Sequence, residues 1–206
     1  MINLTGQVGL ASTNAGDGSQ LPFRQGKTGE IVVQNLHGRY YEQVVRGNVY
    51  GASNQAAQAV SVALATTYTG LCLSNPLGNN RNLVLLSVGY ALSVAPAAIA
   101  SLHLIGSSSP STDVSHTAAV TPRNMLIGNG ATASAKVDSS ATIPTPVYLM
   151  SLMGGFTAGA LPSSPNALFD IAGQIVIAPG GFVALGALTA VTGFASMVWE
   201  EVPIPS

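Results

Sequence analysis

Charge is what this chain has least of. Seven basic and eight acidic residues make up 7% of its 206 residues, against about 25% in an ordinary soluble domain. The net charge is −1, so bulk electrostatic attraction to nucleic acid or anionic lipid is not expected. There is one cysteine, Cys72, and so no intrachain disulfide. It stands in the apolar stretch GLCLSNP and reads as a buried, inert thiol. There is one tryptophan, and there are three histidines. No G-x-S-x-G, H-E-x-x-H or P-loop spacing occurs. The opening MINLTGQVGL has no basic n-region and no apolar h-region, so no secretory signal is expected.

With so few charges, the polar surface must be built from Ser, Thr, Asn, Gln and Gly. Disordered chains are usually charged and poor in aliphatics, so disorder is disfavoured. Two explanations remain for such a composition, and they are compatible. Either the chain buries much of its surface against partners, or it is a hardy β-structured extracellular or particle protein.

The longest charge-free run tests whether a membrane is involved. Asn82–Ile105 is long enough to span a bilayer as a helix. Its phase argues otherwise. Val84, Leu86, Val88, Tyr90, Leu92 and Val94 are large, while Ser87, Gly89, Ala91, Ser93 and Ala95 are small. That is the period of two of a pleated strand, broken only by Leu83 and Leu85. Pro96 has no N–H and stops the ladder. The run predicts two central strands of a sandwich around a proline corner, with the large side chains in the core and the small face free to lie under a partner. The few scattered aromatics do not form the girdles of a transmembrane barrel. No membrane partner is expected.

Elsewhere the pattern is of short strands between Gly, Pro, Ser and Asn turns. Strands are expected at 30–34, at 38–53 with a bulge at Gly47, at about 59–67, at 70–76, at 147–156, on both sides of the Pro179-Gly180-Gly181 turn, and at 193–203. A short strand followed by a turn is expected at 124–130. Residues 106–123 read as a polar loop or two short extended pieces, and 131–146 as polar and irregular. Residues 1–28 have no sustained period and read as an extended N-terminal arm. The expectation is an all-β protein: a jelly-roll-like β-sandwich of residues 29–206, preceded by that arm.

Catalytic groupings are hard to assemble from this chain. Glu200 and Glu201 are adjacent and would point to opposite faces of a strand. Asp113 and His116 could share a metal, but two ligands at that spacing are common by chance. His103 reads as a satisfied core or interface histidine. No enzyme activity, metal or cofactor is expected. Seven of the fifteen charged residues fall between Asp17 and Arg46. They form either a solvated sheet edge or a docking surface. In the second case Arg24, Lys27, Arg39, Tyr41 and Arg46 are the candidate contacts.

Four segments carry a likeness. GKTGEIVVQNLHGRYYEQVVRGNVYGAS, TTYTGLCLSNPLGNNRNLVLLSVGYAL, GQIVIAPGGFVALGALTA and GFASMVWEEVP resemble structural proteins of tailed bacteriophage virions. The resemblance covers most of residues 26–203. It implies a β-sandwich unit that cements or decorates a capsid. Its partners would be the major capsid protein or other virion proteins, with homo-oligomers expected. It implies a protein made in the host cytoplasm and located in the virion, and it offers no active-site residues. The alternative is a neck, tail or fibre component with a carbohydrate- or receptor-binding sandwich. There Trp199, followed by Glu200 and Glu201, would be the sugar platform unless packing claims it.

Overall fold

A computed structural model describes residues 38–156 and 166–204, with two further short strands near the N-terminus. The chain divides into two compact units, Met1–Tyr41 and Glu42–Ser206. In the first, β1 (Gly6–Val8) and β2 (Phe23–Gln25) lie parallel, with Gln7 opposite Arg24. The strand expected at 30–34 lies outside the described residues.

The second unit begins with a helical turn, α1 (Tyr41–Val45), whose first residue belongs to the first unit. It continues through β3 (Val49–Ser53), β4 (Gln58–Ala59), β5 (Thr67–Ser74), β6 (Arg81–Leu92), β7 (Ala100–Ser108), β8 (Ser115–Ala119) and β9 (Arg123–Asn124). It ends with β10 (Lys136–Thr142), β11 (Val147–Phe156), β12 (Asn166–Ile177), β13 (Gly181–Ala187) and β14 (Thr192–Pro203). One sheet has the order β11-β7-β13-β5-β10-β8, and the other β12-β6-β14-β3-β9.

These orders follow from one long folded ribbon. Strand β3 pairs with β14, β5 with β13, β6 with β12 and β7 with β11, all antiparallel. Successive ribbon pairs alternate between the two sheets. The eight strands therefore lie as β3-β14-β6-β12 and β5-β13-β7-β11, which is a jelly roll. The segment between β7 and β11, at the tip of the ribbon, is an insert. Its β10 and β8 extend one sheet beside β5, and its β9 extends the other beside β3.

The two apolar faces meet in one core. Leu71, Leu73, Leu102, Leu104, Val183 and Leu185 come from one sheet. Tyr50, Leu83, Leu85, Val88, Tyr90, Met197 and Trp199 come from the other. The broken phase at Leu83 and Leu85 now has a cause. On β14, Val198 lies opposite Ser87 and Trp199 opposite Leu85, which leaves Leu86 as an extra residue. This β-bulge flips the side-chain phase. Odd positions face the core before it and even positions after it, so Leu83 and Leu85 are core residues and not exceptions. Strands β6 and β7 are interior strands of different sheets, on either side of the Pro96 corner. Burial explains the charge-free run within the two strands, whereas the corner between them is exposed at Val94 and Ile99, so Val94 is not the core residue expected.

A smaller cluster, of Tyr68, Cys72, Ile105, Val114, Ala141, Ile143, Phe182 and Ala184, lies outside that core. Within it the Tyr68 hydroxyl donates to Leu71 O and accepts from Leu185 N, both at 3.1 Å. Burial raises the Tyr68 phenol well above its ordinary value. It does the same to the Cys72 thiol, with the Asp138 charge adding to it, and to the Tyr90 phenol. These acids stay neutral in the folded chain at a pH where the unfolded chain ionises them. Their contribution to stability is therefore full below the ordinary Cys and Tyr values and is lost as pH rises beyond them. The melting temperature is expected to fall steadily between about pH 8.5 and about pH 11. A flat profile over that range would show that these groups titrate freely.

Four expectations need correction. The long strand at 38–53 is instead α1, a turn and β3. The Glu42 and Arg46 side chains pair at 2.8 Å across one helical turn. Gly47 then ends the helix at φ +76°. Asn48 N donates to Gln43 O and Gly47 N to Val44 O, both at 3.0 Å. This is a Schellman cap, which needs a residue in the left-handed region and favours glycine. The strand at 59–67 is mostly absent. After β4 the chain makes a main-chain hydrogen bond from Ser61 to Thr69 of β5 and an isolated bridge from Val62 to Ala187, then turns at Ala63. The segment 131–146 is not irregular, since β10 runs through it. At 124–130 only Asn124 is in a strand, and the rest is turn and coil with Gly128 at positive φ.

Candidate functional site

Of the five residues proposed from sequence as contacts, Arg24, Arg39 and Tyr41 belong to the first unit and Arg46 to the second. Arg24 lies in β2. Lys27 lies outside the described residues. The Arg39 guanidinium sits 5.8 Å from the centre of the Tyr40 ring, and Tyr41 is exposed at the start of α1. Arg46 is engaged with Glu42. The charged segment 39–46 is thus turn and helix, not the strand expected there.

The histidines resolve differently. His103 is half-buried, with Nε2 2.7 Å from Ser101 Oγ and Nδ1 3.1 Å from Ser151 Oγ, and its ring meets Tyr148 edge-on. Both ring nitrogens are satisfied, as expected of a packing histidine. His116 does not pair with Asp113. Its Nδ1 lies 2.6 Å from Asp138 Oδ2, across from β8 to β10. Asp113 instead accepts from the Leu77 and Val114 amides. Among the described residues no group of three or more His, Cys, Asp or Glu side chains could hold a metal.

The period of two along β14 sends Trp199 and Glu201 to the core side and Glu200 to the other. Trp199 is fully buried and stacks on Tyr50, with ring centres 6.3 Å apart. It offers no face to a sugar. Glu201 is buried as well. Its carboxylate accepts from Ser134 N, Ala135 N and Ser134 Oγ at 2.7–3.0 Å, and from Trp199 Nε1 at 3.5 Å. This ties the insert to the sandwich. Partial burial raises the Glu200 carboxyl.

What sequence reading missed is a surface. Strand β11 is at one end of its sheet and β12 at one end of the other. Leu152 and Met153 of β11 pack on the same core as Phe169 and Ile175 of β12. Outside that core, Val147, Tyr148, Leu149 and Met150 are consecutive and all exposed, and Leu168 and Val176 of β12 are exposed too. No Asp, Glu, Lys or Arg occurs between Asp138 and Asp170. Edge strands are usually guarded by lysine, proline or bulges. Strand β11 has only bulges, at three places along its pairing with β7. The available signal was the charge-free interval, which was equally consistent with a buried strand.

Protein-family models, curated proteins and solved structures were all compared with the chain, and none of them matches it.

Proposed function

We propose that this is a non-enzymatic structural protein of a virion, most simply a capsid cement that bridges shell subunits and opposes internal pressure. The observation that carries the reading is the exposed apolar edge Val147–Met150, with Leu168 and Val176 on the neighbouring edge strand. Interface cores are depleted of charge, and an exposed apolar strand edge is the kind of surface that partners cover. The low overall charge and the resemblance of the four segments to tailed-phage structural proteins support the same reading.

The test is co-sedimentation with purified, undecorated capsids, scoring bound copies per shell. Saturable binding at a multiple of the shell's symmetry is expected. Leu149→Lys should weaken it about tenfold, a loss of about 1.4 kcal/mol in binding, while the melting temperature stays unchanged. Wild-type protein left in the supernatant would overturn the cement role and point to the neck, tail or fibre.

A further inference from the structure

Two cavities flank residues 119–123 of the insert, and Arg123 lines both. The larger, about 840 Å³, is an open groove walled by neutral groups apart from that arginine. The smaller, about 520 Å³, gathers charge: Arg123, Lys136, His116 and Asp138 all line it. A volume of this size is in the range of small-molecule sites, about 300–1,000 Å³.

The charged groups are arranged unequally. Asp138 is buried, and its Oδ2 is taken by His116. His116 Nδ1 is engaged with that oxygen, and its Nε2 has no hydrogen-bond partner among the described residues. The other oxygen, Asp138 Oδ1, has no hydrogen-bond partner among the described residues. Arg123 and Lys136 are exposed, and neither side chain is in a hydrogen bond or ion pair among the described residues. By contrast Arg46 is tied to Glu42. Two unengaged cations against one carboxylate leave a net positive cavity in a chain whose net charge is −1.

The neutral lining narrows the ligand further. Asn129 accepts from Ala131 N through Oδ1, which leaves its amide nitrogen available. Thr121 and Thr132 also line the cavity. We propose that this cavity binds a small hydroxylated carboxylate of the acidic-sugar class. Arg123 and Lys136 take the carboxylate, and Asn129 and the threonines take hydroxyls. An arginine fork matches a carboxylate in two bonds. The buried charge of Asp138 opposes a more densely charged anion such as a polyphosphate. The site rests on the cavity alone and does not depend on the virion reading.

The experiment is titration calorimetry of the whole protein with glucuronate, its neutral methyl ester and inorganic phosphate. Glucuronate is expected to bind, and the ester at least about tenfold more weakly. Arg123→Gln and Lys136→Gln should each weaken glucuronate about tenfold. Both side chains are exposed, so the melting temperature of each variant should match the wild type. Three outcomes would overturn the proposal: no binding of glucuronate at millimolar concentration, equal binding of the ester, or unchanged affinity in both variants. Phosphate binding without glucuronate binding would also overturn it, in favour of a phosphate site.

Discussion

Trp199→Ala is expected to destabilise the protein by about 4 kcal/mol, the usual cost of emptying a buried aromatic site. For a chain of this size that lowers the melting temperature by roughly 12 °C. The reasons are local. Trp199 is fully buried on β14, which pairs with both β3 and β6. Its ring stacks on Tyr50, and its indole N–H reaches Glu201. Alanine would open a cavity between the two sheets, where neighbouring leucines cannot collapse without leaving their own contacts. Trp199→Phe keeps most of the volume and should cost about half as much. Denaturant unfolding of the three proteins checks this. A loss under about 1 kcal/mol for the alanine variant would mean that the ring does not fill the core.

Glu201→Gln should cost about 3 kcal/mol, although it changes no volume. The carboxylate collects four donor contacts from Ser134 and Ala135. Glutamine keeps one acceptor oxygen and turns an NH₂ group toward donors. The loss should first appear in the insert, because those donors, two main-chain amides and the Ser134 hydroxyl, belong to it. Amide hydrogen exchange at Ser134 and Ala135 should accelerate in the variant well before the sandwich unfolds. Unchanged exchange at both amides would show that the clamp does not hold the insert.

The elements most readable from sequence were those in which one force dominated. The alternation in Asn82–Ile105 was strong enough to outweigh its helix-like length, because burial on a sheet face leaves a period of two. The Pro-Gly-Gly turn and the closing strand were plain for the same reason, and Cys72 was found buried as expected. Where two forces competed, the reading failed. In GRYYEQVVRG the β-branched and aromatic residues suggested a strand, yet the Glu42–Arg46 pair and the Gly47 cap closed a helical turn. In KVDSSAT the polar residues hid a strand, because Asp138 is buried beside His116 and only Val137 and Ala141 show an apolar side. The His116–Asp138 pair was invisible for a related reason. Asp113 is closer in sequence, but strand pairing between β8 and β10 decides which carboxylate the ring meets. The exposed edge was not readable either, since apolar side chains look alike whether they face a core or a partner.

The ribbon topology fixes the order in which this protein can be made. Its open end pairs β3 with β14, so Tyr50 meets Trp199, while its closed end pairs β7 with β11 across the insert. The tip is the least distant pairing, and each later one closes a longer loop of chain. During synthesis the first half of the ribbon leaves the ribosome with its future neighbours not yet translated, and its leucine-rich strands must wait unpaired. β14, the partner of β3 and β6, emerges after every other strand of the sandwich. The sandwich is therefore completed only after β14 is free, and its exposure to wrong partners is greatest just before that point.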